Sequence, residues 1–135
     1  MNILNDTSFN RLRSAIDASN TRQNVISNNI ANADTPYFKR SEVSFESLLQ
    51  SEMNGVSSIK GRVTNSRHIS IGSTDSIPNA KITSDKSTAM NNNKNNVDID
   101  SEMVKLGENQ IRYNAYIEEV NHQIKMMRTA LGGNG

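Results

Sequence analysis

Few side chains in this sequence have the type and spacing that catalysis or metal binding requires. His68 and His122 are its only histidines, and a zinc site would need further ligands at suitable spacing. Neither has an H-x-x-x-H partner or a flanking carboxylate cluster. His122, four residues after Glu118 in a helical pattern, reads as a solvent-facing i,i+4 partner. Asp98, Asp100 and Glu102 resemble a calcium loop, but their short spacing ahead of a heptad run fits helix capping better. No serine sits in G-x-S-x-G. Gly61 and Gly72 stand alone, so no phosphate cradle is built. Asn5-Asp6-Thr7 matches the glycosylation pattern at chance frequency. Cysteine is absent, which excludes disulfides, thiol nucleophiles and thiolate metal sites. The expectation is a chain with no catalytic residue, no cofactor and no metal, and not an enzyme.

Composition points the same way. In 135 residues only 34% are hydrophobic and 4% aromatic, there is no Trp, and Asn occurs 20 times. That length suits one domain, but this content does not support a sizeable independent core. Low hydrophobicity favours disorder, which usually also comes with high net charge; here the formal charge is +1. The sequence therefore predicts a subunit that is marginal alone and completed by partners. Clustered Lys and Arg needed for phosphate backbones are missing, the densest basic pair being Lys39-Arg40. No apolar run is long enough to span a membrane. The segment MNILNDTSFNRLR lacks a basic region followed by an apolar stretch, so no cleavable secretory signal is expected.

The elements that would position these side chains lie at the two ends. Met103, Leu106, Tyr113, Ile117, Val120, Ile124, Met127 and Leu131, with Gln110 in one polar slot, keep a 3-4 spacing that defines an a/d seam. Asp98 and Asp100 stand where N-caps belong, and Gly132-Gly133 follows as a stop. Glu108 and Arg112 are four apart in the favourable order, and Lys125 and Arg128 complement the helix dipole. A helix over Val97–Leu131 is predicted, roughly 50 Å long. Phe9, Leu12, Ile16, Ile26 and Ile30 mark a weaker seam with Ser19 and Gln23 at its centre, predicting a helix over Thr7–Ala33 that Pro36 terminates. Two such seams predict an antiparallel pair. Val104, Ile111, Ala115 and Tyr116 on one helix, and Ala18 and Val25 on the other, form a second stripe. It serves either a subunit with several neighbours or the chain's own middle segment.

That middle segment is mostly turn-forming residues. A short helix near Phe45–Met53 is predicted, with RHISI (Arg67–Ile71) and AKITS (Ala80–Ser84) as strands of a small β-hairpin, and Met90–Asn96 as a low-complexity linker. The expected fold is mainly α: long N- and C-terminal helices paired as an antiparallel coiled coil around a loop-rich middle. Its divisions are an N-terminal helix (1–36), the middle segment (37–96) and a C-terminal helix (97–135).

The stretch NVISNNIANADTPYFKR (Asn24–Arg40) resembles the N-terminal signature of the flagellar axial proteins, roughly S-N-N-I-A-N-x-x-T-P-G-Y. Ser27, Asn28, Asn29, Ile30, Ala31, Asn32, Thr35 and Pro36 match it. Where that family usually has Gly after the proline, this chain has Tyr37, with Phe38 in the aromatic place. A turn needing positive φ there would be strained by Tyr. Asn95–Leu131, Val43–Leu49 and Ser66–Ile69 are similar to the proximal rod member of the family, and the short length agrees.

The resemblance implies a structural subunit of the flagellar basal-body rod, in the periplasm, exported by the flagellar type III apparatus without a cleavable signal. It implies packing through the terminal helices against FlgC-type and FlgF-type rod proteins, the distal rod subunit and the FliE-type basal-body protein. The expected packing residues are Leu12, Ile16, Ile26, Ile30, Leu106, Tyr113, Ile117, Val120, Ile124, Met127 and Leu131. The terminal seams are expected to order fully only on assembly. Within the family a FlgC-type rod protein is the nearest alternative. Outside it a cytosolic helical adaptor or export chaperone shares the amphipathic helices, though not the N-N-I-A-N-x-x-T-P block.

Overall fold

The computed structural model describes residues 7–55, 77–86 and 94–132. Helix α1 spans Thr7–Ala31, strand β1 Ser41–Ser44, helix α2 Glu46–Gly55, strand β2 Lys81–Ser84 and helix α3 Ile99–Ala130. The architecture is mainly helical. α1 and α3 run side by side in opposite directions, since Asn29 meets Glu102 near one end and Ser19 meets Asn109 further along.

Local chemistry sets the helix ends. Asp98 is the N-cap of α3, its Oδ1 accepting from the N–H groups of Asp100 and Ser101 and satisfying two of the four otherwise unpaired amides. At the other end Gly132 adopts φ +81° and its N–H donates to Thr129 O, closing the last turn. α1 stops at Ala31, ahead of Thr35-Pro36. Phe38 N–H then donates to Thr35 O at 3.3 Å, and Tyr37 has φ +63°. With Pro36 at the first central position this is a type II turn. The backbone thus takes the positive φ that the Gly of the family signature would accept freely.

The two-stranded sheet pairs β1 with β2 antiparallel, Ser41 opposite Ser84 and Ser44 opposite Lys81. It is not a local hairpin, because α2 lies between the strands in sequence. Of the two strands expected from sequence, Ala80–Ser84 corresponds to β2, whereas Arg67–Ile71 lies outside the described residues. β1 was not legible as a strand, since Val43 is its only apolar residue. Its conformation is imposed from outside: Asp85 N–H donates to Arg40 O, and that ladder phase turns the N–H and C=O of Ser41 and Val43 away from β2 and toward α1.

The apolar core is small. Ala15 and Ala18 of α1 pack on Phe45, which is 2% exposed at the β1–α2 junction, with Leu49, Ala80 and Tyr116 around them. The alanines let the neighbouring elements approach α1 closely, and full burial of a ring such as Phe45 is worth about 1.5–3 kcal/mol.

The helix pair is rotated by about one residue from the apolar seams. On α1 the buried row is Ala15, Ser19, Ile26 and Asn29; on α3 it includes Glu102 and Asn109. Leu106, Tyr113, Val120 and Met127 stay half-buried, but Met103 is 60% exposed. The reason is polar: two hydrogen-bonded rungs, Asn29–Glu102 and Ser19–Asn109, occupy the contact and fix its phase.

Candidate functional site

The signature segment at the end of α1 is held by side-chain amides that act as substitute peptide groups. Asn29 is fully buried. Its Oδ1 accepts from Ser41 N–H at 3.0 Å, while its Nδ2 donates to Ser41 O and to Glu102 Oε2, both at 2.8 Å. Asn29 therefore covers the outer edge of β1 as a third strand would. Arg22 continues that cover by donating to Val43 O.

Asn95 and Asn96 complete the clasp. Asn95 Nδ2 donates to the carbonyls of Asn32 and Thr35, each at 2.9 Å, and Asn95 Oδ1 accepts from Val97 N–H. It caps the end of α1 and orients the entry to α3 at once. Asn96 lies at the end of the ladder, accepting from Arg40 N–H and donating to Asp85 O. Both are buried, so the expectation that Met90–Asn96 forms a low-complexity linker is corrected at these positions. Met90–Asn93 lie outside the described residues.

Charge locks the same joint. Glu102, 1% exposed, receives Arg40 Nε at 2.8 Å and Lys105 Nζ at 3.4 Å. Arg40 also reaches Glu42 at 2.7 Å. Burial alone would lower the Arg40 pKa, but the hydrogen bond to Glu102 and the charges of Glu42 and Glu102 raise it above its ordinary value. A second knot joins three helices. Glu46, in the first turn of α2, accepts from Arg22 of α1 at 2.6 Å and Arg112 of α3 at 3.1 Å. Burial pushes Glu46 up, yet the Arg22 hydrogen bond, its own backbone N–H and the two arginine charges hold it below the usual carboxylate range. Arg112 pairs here rather than with Glu108, which sequence spacing alone suggested.

Of the other signature residues, Asn32 donates to Asn28 O and its own Oδ1 accepts from Thr35 Oγ1. Ser27, Asn28, Ala31, Thr35 and Pro36 are exposed. Tyr37 is 70% exposed, and a left-handed non-glycine residue costs roughly 1–2 kcal/mol.

The packing residues expected from sequence divide by environment. Ile26 is buried within the chain. Leu12, Ile16, Ile30, Leu106, Tyr113, Ile117, Val120 and Met127 are half-buried, while Ile124 and Leu131 are exposed. Val104, Ile111 and Met126 add to this uncovered apolar surface at 64%, 71% and 51% exposure. An open apolar groove of about 390 Å³ lies between the helices, lined by Leu12, Ala15, Phe45, Leu49, Met53 and Tyr116. Neither the asparagine clasp nor the buried role of Glu102 was found by sequence reasoning, because no local pattern connects Asn29 with Ser41 and Glu102, or Asn95 with the end of α1.

Among the described residues no group of three or more His, Asp or Glu gathers to hold a metal ion. His122 is exposed on α3, and His68 lies outside the described residues. No described helix is long and apolar enough to cross a membrane.

What the arrangement does is hold two terminal helices together by polar contacts while leaving apolar faces outward. Residues 9–39, which include the clasped signature, match the flagella basal body rod protein model. The chain is 41% identical to the flagellar basal body rod protein FlgB of Bacillus subtilis, over 90% of this chain and 91% of that one. It is 39% identical to FlgB of Borreliella burgdorferi over 86% of this chain and 89% of that one. The FlgB of Proteus mirabilis is 31% identical over 93% and 94%. A clasped helix end carrying the family signature, together with relatives matching over nearly their full length, places the chain in the FlgB family of flagellar basal body rod proteins.

Proposed function

We propose that this chain is a structural subunit of the proximal rod of the flagellar basal body, built into the tubular shaft through its terminal helices. The observation that carries the reading is the uncovered apolar surface of α3, where Met103, Val104, Ile111, Ile124, Met126 and Leu131 are all at least 48% exposed. Val104 and Ile111, seven residues apart, share one side of the helix with Met126 further along it, and exposed apolar residues grouped in this way mark a contact with other chains. Family membership supplies the assembly in which those contacts are made.

In this reading the polar clasp fixes the geometry of one subunit, and the apolar faces fix the subunit to its neighbours. The rows Leu12–Ile16–Ile30 and Leu106–Tyr113–Ile117–Val120–Ile124–Met127–Leu131 supply the packing surfaces, against FlgC-type, FlgF-type and distal rod subunits and the FliE-type protein. The subunit sits in the periplasmic rod after export through the flagellar type III apparatus. Its terminal helices gain order as neighbours bury them, which offsets the entropy of fixing the chain.

Deletion of the gene, complementation with a tagged copy and imaging of purified basal bodies test the proposal. The expected result is loss of motility on deletion and tag density in the proximal rod. Normal swimming of the deletion strain, or a tag confined to the cytosol, would overturn it.

A further inference from the structure

Two described residues other than glycine have positive φ, Tyr37 at +63° and Lys94 at +61°. They lie far apart in sequence, yet their side chains meet, with Lys94 Nζ 5.5 Å from the centre of the Tyr37 ring. Both residues are exposed, Tyr37 by 70%. Among the described residues, the tyrosine hydroxyl has no hydrogen-bond partner and the lysine ammonium has no carboxylate.

Within the free chain this pair is a net loss. Glycine would take either backbone conformation without a steric penalty. An exposed cation–π contact offsets less than two left-handed backbones cost. Strain of this kind persists where the surroundings over-determine it and the side chain has a use. Here the surroundings do so: Asn95 fixes the carbonyls of Asn32 and Thr35 beneath the turn, and Lys39 Nζ donates to Lys94 O at 3.0 Å. The ring is therefore presented on a rigid tip, and a preorganised aromatic is an effective contact anchor.

We infer that Tyr37 and Lys94 together form a contact point for a neighbouring rod subunit, one that presents a carboxylate to the lysine ammonium and the tyrosine hydroxyl. The inference rests on the reading of this chain as a rod subunit. The chemistry of the partner follows from what the pair offers: a hydroxyl hydrogen and a positively charged ammonium group, with an apolar ring beside them.

The test uses the full-length chain in a strain lacking the gene. Wild type restores swimming. Tyr37→Gly and Lys94→Gly raise the melting temperature of the purified chain, because they release backbone strain, yet they shrink the swimming halo severalfold. Lys94→Arg swims as wild type and Lys94→Glu does not. A photo-crosslinking amino acid in place of Tyr37 captures an adjacent rod subunit in purified basal bodies, and Lys94→Glu reduces that capture. If Tyr37→Gly and Lys94→Glu both swim as wild type, or the crosslinker captures no neighbouring subunit, the contact is disproved. If instead the deletion strain swims normally, it is the rod reading that fails, and the contact falls with it.

Discussion

The carboxamide of Asn29 holds the backbone of Ser41 by both its groups, accepting from N–H at 3.0 Å and donating to C=O at 2.8 Å. A side chain of α1 thereby takes the place of a neighbouring strand. The same Nδ2 reaches Glu102 of α3, so one residue ties the helix pair to the sheet.

Replacing Asn29 should consequently be costly, and unequally so for different substitutes. Asn29→Ala leaves the Ser41 groups without their partner, and each buried unsatisfied group costs about 1–3 kcal/mol. Asn29→Asp places a second carboxylate against Glu102, which is 1% exposed, and like charges at that separation repel strongly. Thermal melts at neutral pH should rank wild type above Asn29→Ala and Asn29→Ala above Asn29→Asp. Equal melting temperatures for all three would contradict the clasp.

The Ser19–Asn109 rung behaves differently. Asn109 Nδ2 donates to Ser19 O at 2.9 Å, but Ser19 Oγ and Asn109 Oδ1 are buried with no partner. The hydroxyl therefore contributes desolvation without a hydrogen bond. Ser19→Ala keeps the backbone acceptor and removes the unpaired oxygen, and alanine is also the better helix former. Stability in urea should rise by about 1 kcal/mol. A fall of that size would show that the hydroxyl has a partner after all.

These rungs also explain which features were legible in the sequence. Pro36, Asp98 and Gly132 mark boundaries through chemistry local to a few residues, and α1 and α3 end within two residues of the expected positions. Apolar periodicity gave both helices and their antiparallel pairing. It did not give their rotational phase, because a count of apolar positions is blind to Asn29 recognising Glu102 across 73 residues of chain. Asn95 and Asn96 were obscured for a related reason. Surrounded by other asparagines they resemble a linker, and only the fold brings Arg40, Asp85 and the end of α1 to their amides.

Acid should weaken the three-helix knot at Glu46. Its folded pKa is depressed, so its contribution is present above the unfolded carboxylate value of about 4.3. That contribution is lost as pH falls from there through the lower folded value. Glu46 is 45% exposed, and screened pairs of this kind contribute only about 0.2–1 kcal/mol each. Wild type should therefore lose stability below about pH 4.3 slightly more steeply than Glu46→Gln. In molar salt the difference should shrink. Parallel pH profiles for the two proteins at low ionic strength would rule out the knot.

The last turns of α3 allow folding and assembly to be separated. Gln123 lines the groove beside Ser8 and Leu12, at the first turn of α1. Ile124–Leu131 therefore extend past Thr7, the first described residue of α1, and Ile124 is 48% and Leu131 75% exposed. An aspartate at an exposed site changes folding stability by no more than about 0.5 kcal/mol. Ile124→Asp should thus leave the melt of the purified chain nearly unchanged while abolishing rod assembly and motility. Ile26→Asp is the control, because Ile26 is 4% exposed and an unpaired buried charge should unfold the chain itself. Ile30→Asp and Ile117→Asp, both half-buried, should impair stability and assembly together. Hydrogen exchange adds an independent measure: amides after Gln123 should exchange quickly in the isolated chain and slowly in purified basal bodies. A motile Ile124→Asp strain, with those amides equally exposed in both states, would mean that the end of α3 is not a packing surface.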